Sequence, residues 1–88
     1  MKSDEFLRLT IFRQVELLLD KGQHVLNRIY LFYNIHLYTF SGFYAEIWYR
    51  QADNKIERVI LLEEPDVLDL YDNQIGLSDI TGSIGPKE

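Results

Sequence analysis

The stretch Leu37–Leu62, LYTFSGFYAEIWYRQADNKIERVILL, decides the fold, because it reads as three consecutive antiparallel strands joined by two tight turns. Aromatic and β-branched residues fill the runs, and Ser41-Gly42 and Asp53-Asn54 supply the turn chemistry. A three-residue loop, Phe40-Ser41-Gly42, with Gly42 in the left-handed bulge position, pairs Thr39 with Phe43, Leu37 with Ala45 and Ile35 with Ile47, and so collects the apolar residues on one face. A hairpin at Asp53-Asn54 pairs Arg50 with Glu57, Trp48 with Val59 and Ile47 with Ile60, so that opposite charges meet at Arg50 and Glu57. In that register Ile35, Leu37, Ala45, Ile47, Ile60 and Leu62 lie beneath a helix. Tyr38, Phe40, Tyr44, Trp48, Val59 and Leu61 line the opposite face with His36, Glu46, Arg50 and Glu57.

Outward from this core, His24 to Phe32 reads as a preceding strand and Tyr33-Asn34 as its turn, since Asn tolerates left-handed backbone angles. Residues 3–21 read as one amphipathic helix, with Ser3 as N-cap, Asp4 and Glu5 in the first turn, and Lys21-Gly22 as a left-handed stop. Leu7, Ile11, Phe12, Val15, Leu18 and Leu19 form its sheet-facing stripe, while Phe6 and Leu17 fall on another side, available to a partner. On the C-terminal side Pro65 opens a short helix to Asp72, with Val67, Leu68, Leu70 and Tyr71 packing on the body. The expected architecture is α+β: a helix on one face of a three- to four-stranded antiparallel meander, then a short helix and a tail. Residues 1–78 form a single domain, and residues 79–88, with Gly82, Gly85 and Pro86, form a flexible tail.

Composition narrows the function classes. At 88 residues with no internal repeat, the chain is long enough for one thin core. It has no cysteine, hence no disulfide, thiolate metal site or thiol nucleophile. The N-terminus lacks the uninterrupted apolar run of a secretion signal, which makes the cytoplasm the expected location. The uncharged run Ile29–Ala45 is broken by Asn34, His36, Thr39, Ser41 and Gly42 and alternates as strands do, so no membrane span is expected. A net charge of −5 disfavours nucleic acid and anionic membranes as partners. The charge is uneven: residues 1–62 hold eight Lys/Arg against seven Asp/Glu, whereas residues 63–88 hold Lys87 against seven acids.

No catalytic signature emerges. His36 and Glu46, with Arg50, could form a shallow polar site for a small molecule or an acid–base pair, but an open sheet builds no pocket and excludes no water. His24 and His36 match no metal spacing, Asp66, Asp69 and Asp72 form one solvated helix stripe, and no metal or cofactor is expected. A sheet with one face under a helix has no need of Tyr38, Phe40, Tyr44 and Trp48 on the other unless something covers them. The expectation is therefore a small protein-interaction module without enzymatic activity, a homodimer or one half of a protein complex. Its interface candidates are Tyr38, Phe40, Tyr44, Trp48, Val59, Leu61, Phe6 and Leu17. The alternatives are the shallow His36/Glu46 site, or an acidic inhibitor or immunity-type protein that turns residues 63–88 against a basic target.

Overall fold

The computed structural model describes residues 1–72, so the sequence-based tail and domain end fall outside the described residues. The elements are α1 (Ser3–Leu7), α2 (Ile11–Lys21), β1 (Gln23–Tyr30), β2 (Tyr33–Phe40), β3 (Phe43–Arg50), β4 (Ile56–Leu62) and α3 (Glu64–Leu70). The four strands form one antiparallel sheet in the order β1-β2-β3-β4, a plain meander, and the α+β class holds.

The N-terminal helix is two helices. Thr10 interrupts it: its hydroxyl accepts from the Arg13 N–H at 3.2 Å and caps α2, while α1 ends at Leu7. At the start of α1 the cap is Lys2, not Ser3, and the Glu5 carboxylate accepts from the Lys2 N–H. The break turns α1 relative to α2, so the single stripe expected across residues 7–19 does not exist. Phe6 is fully buried and Leu17 packs against the core, whereas Leu7, Ile11, Phe12 and Leu19 are exposed. Gln14 ties the two helices together, its Nε2 donating to the Phe6 carbonyl at 3.0 Å. Gly22 ends α2 with φ −77°, not in the left-handed region. Its need for glycine is steric: a Cβ there would lie 2.6 Å from the Leu18 carbonyl oxygen.

The β2–β3 and β3–β4 registers differ by one residue from the expected ones, and the β1–β2 turn falls two residues earlier than expected. The β1–β2 turn is Leu31-Phe32, with Tyr30 paired to Tyr33, not Tyr33-Asn34. The β2–β3 loop is the two residues Ser41-Gly42, at φ +54° and +87°, which pairs Phe40 with Phe43, Leu37 with Glu46 and Ile35 with Trp48. Positive φ at both loop positions gives the turn whose twist matches that of the strands. Between β3 and β4, Ile47 pairs with Val59 and Trp48 with Arg58, with a shift between Trp48 and Tyr49. Arg50 therefore meets Asp53 at 2.7 Å rather than Glu57, which accepts from the Tyr33 hydroxyl at 2.9 Å.

The physical reason is that both faces are covered. Sorting all apolar residues to one face is the right criterion only for a sheet with one dry side. Here α1 and α2 lie on one face, where Phe6, Val15, Leu18, Tyr38, Ala45 and Ile47 form a core with Phe40, Val59 and Leu61 packed around it. The short α3 lies on the other, where Val67 and Tyr71 close over Leu37 with Leu26, Tyr44 and Leu62 at the margin. Pro65 in the first turn of α3 and the Asp66 carboxylate accepting from the Glu63 N–H at 3.1 Å start that helix immediately after β4.

Candidate functional site

The residues expected to form one aromatic surface are divided between the two faces. Tyr38, Phe40, Val59 and Leu61 face α1 and α2, with Phe6 and Leu17 contributed by the helices. Tyr44 and Trp48 face α3. Phe6, Tyr38 and Trp48 are buried within the chain itself. The polar trio is divided too. His36 pairs with Ile47 while Glu46 pairs with Leu37, so the two side chains point to opposite faces, and Arg50 is held at the exposed rim by Asp53. A joint His36/Glu46/Arg50 site is excluded by the alternation of the strand.

Glu46 proves to be the centre of the α3-covered face. It stands mid-strand in β3 and is 1% exposed. Arg28, reaching from β1, donates Nε to Oε2 at 2.8 Å and Nη2 to Oε1 at 3.2 Å, a two-pronged ion pair. The Trp48 indole N–H donates to Oε1 at 3.0 Å, and the Tyr71 hydroxyl, carried in from the end of α3, donates to Oε2 at 2.7 Å. Arg28 also lies 5.5 Å from the Trp48 ring centroid and 5.7 Å from that of Tyr71. Burial, then the bond to Glu46, pushes the Tyr71 hydroxyl far above the ordinary tyrosine value, with Arg28 opposing. Four donors on two oxygens leave the carboxylate no open lone-pair direction, and Tyr71 closes it from solvent. Among the described residues no buried side-chain polar atom lacks a partner. Chemically this is a latch for α3 and not an acid or base presented to a substrate.

On the helix-covered face, the His36 and His24 rings meet edge to face, centroids 5.8 Å apart. Tyr49 packs at a tilt against His36 at 4.8 Å, and Tyr38 meets His24 edge to face at 5.5 Å. Burial, then the neighbouring His24, holds His36 below the usual imidazole value, which favours the neutral form of His36. No group of three or more metal-ligating side chains exists among the described residues.

Part of the uncovered surface of α2 is apolar, and the sequence reading turned it towards the sheet. The outer side of α2 presents Phe12, 76% exposed, with Ile11 and Leu19, and these three with Val15, Glu16 and Ile56 of β4 line a shallow groove. The rim is polar, with Arg13 and Glu16 ion-paired along the helix. Thr10 is the signal that could have revealed this surface. A capping residue inside an apparent helix restarts the count of its faces. The second uncovered place is the β1–β2 hairpin tip, Ile29–Phe32.

No helix among the described residues is long and apolar enough to cross a membrane. No protein-family model, no curated protein and no solved structure matches the chain.

Proposed function

We propose that the chain is a small protein-interaction module that self-associates, and that its contact surface is the outer stripe of α2 rather than an aromatic sheet face. The observation that carries this reading is the exposure of Phe12 between Ile11 and Leu19 on a helix whose other stripe is already buried in the core. A helix needs one apolar stripe to fold against its sheet, and a second is surplus to the fold.

A second copy suits this stripe because it is nearly the same read in either direction. Ile11 and Phe12 mark one end and Leu19 the other, over about 12 Å of helix at 1.5 Å per residue. Antiparallel packing about a two-fold axis then seats Phe12 of each copy against Leu19 of the other. Arg13 and Glu16, already paired within each copy, supply a rim of mixed sign without net repulsion.

Sedimentation equilibrium over a concentration series tests this. The mass average should rise from one chain mass towards two, and Phe12→Glu should hold it at one with an unchanged circular dichroism spectrum. A wild-type chain that stays at one chain mass up to millimolar concentration defeats the reading.

A further inference from the structure

The β1–β2 hairpin ends in four consecutive large apolar residues, Ile29, Tyr30, Leu31 and Phe32. Ile29, Leu31 and Phe32 are 72%, 66% and 77% exposed. Two features mark the tip as something other than a loop that happens to be apolar. First, a two-residue hairpin turn is ordinarily made by Gly, Asn or Asp, because positive φ costs any other residue energy. Here Leu31 holds φ +53°, while the neighbouring hairpin uses Ser41-Gly42 for the same job. Second, the tip is held rigid from behind. The Gln51 N–H donates to the Phe32 carbonyl at 2.9 Å, so the β3–β4 loop props the apolar turn outward instead of letting it fold back.

Behind the tip the side chains are tiered. Tyr30 and Tyr33 flank the turn and pack on Trp48, with centroids 6.0 and 5.1 Å away. Trp48 pairs with Ile35, two residues further back, which puts this tier within about 3–10 Å of the turn at 3.3–3.4 Å per residue. Arg58 stacks on the Trp48 ring at 4.2 Å. Asp53 and Glu57 stand at the same end of the sheet, so the charged tier carries both signs. Apolar side chains foremost, amphipathic rings next and charges of both signs behind are the layers of a lipid interface read from acyl chains to headgroups.

We infer that this hairpin tip inserts Leu31 and Phe32, with Ile29 beside them, into the acyl–headgroup boundary of a bilayer, and that the lipid it suits is zwitterionic. The charges behind the tip match a headgroup carrying both signs, and the net charge of −5 opposes attraction to an anionic surface. Insertion goes only as deep as the tip, about 5–10 Å, and uses a surface separate from the α2 stripe.

The test is flotation of the full chain with phosphatidylcholine vesicles. The wild-type chain should float with them, and the bound fraction should be the same in low and high salt. Leu31→Ser with Phe32→Ser should lower partitioning at least tenfold, because two large apolar side chains leave the acyl phase. Both residues are exposed, and circular dichroism should confirm that the fold survives. Phe12→Glu should float as the wild type does, which separates this inference from self-association through α2. Three results overturn it: no flotation of the wild type, as a tip that fits a pocket on a protein instead would give; equal flotation of the double variant; or flotation only with anionic vesicles and lost in salt.

Discussion

The face beneath α1 and α2 is closed by Phe6, Leu18, Ala45 and Ile47, side chains with no polar atom to satisfy, whereas the face beneath α3 is closed around the carboxylate of Glu46. The first can form by any arrangement that excludes water, and its cost of error is a cavity. The second tolerates few arrangements, because each of Arg28, Trp48 and Tyr71 must arrive with a donor aimed at one of two oxygens. A short helix such as α3, with only Val67 and Tyr71 buried, gains a fixed seat from that directionality which its apolar area alone does not provide. The difference teaches that α1 and α2 are seated mainly by burial, and α3 mainly by hydrogen bonds to one carboxylate.

The comparison breaks most readily at its apolar side. Phe6→Ala should cost about 3–5 kcal/mol in urea unfolding, since Phe6 is fully buried and joins α1 to Phe40 and Phe43. A cost below 1 kcal/mol would mean that α1 is not anchored there.

Next in size, Arg28→Leu should cost about 3 kcal/mol, because it strands a buried carboxylate. The two faces should also differ in additivity. Arg28→Leu and Tyr71→Phe share Glu46 and should couple by roughly 0.5–3 kcal/mol. Phe6→Ala and Tyr71→Phe act on opposite faces and should add to within about 0.5 kcal/mol. Equal coupling in both pairs would erase the distinction between the faces.

The smallest effect belongs to Tyr71→Phe alone, about 1–3 kcal/mol at neutral pH. Its pH dependence is the sharper measurement. Tyr71 holds its proton in the folded state to a higher pH than in the unfolded chain, where the ordinary value is 10. Its contribution is therefore intact below pH 10 and is lost as pH rises above it. Burial of Tyr38 and Tyr49 and the bond from Tyr33 to Glu57 act in the same direction, so the wild type should weaken steeply in alkali. Tyr71→Phe should weaken less steeply, and parallel curves for the two proteins would remove Tyr71 from the latch.

The amino-acid pattern alone determined the meander of β2, β3 and β4 and the start of α3. Period-two runs broken at Ser41-Gly42 and Asp53-Asn54 specify a meander, and Pro65 after a run of β-formers specifies a helix start, because turn and cap chemistry act within a few residues. Tertiary structure alone decided the faces. A slip of one residue exchanges every side chain between the two sides of a strand, and local chemistry accommodates either register at Phe40–Gly42. The choice fell to α3, which covers the second face only if Glu46 points towards it to receive Arg28 and Tyr71, residues 18 and 25 positions away in the chain. Likewise Thr10 could end one helix and begin another, but which of Phe6 and Phe12 would be buried depended on where the sheet lay. Contacts between distant positions carry no periodicity for a sequence to display, which is why Glu46 read as an exposed polar residue and Phe12 as core.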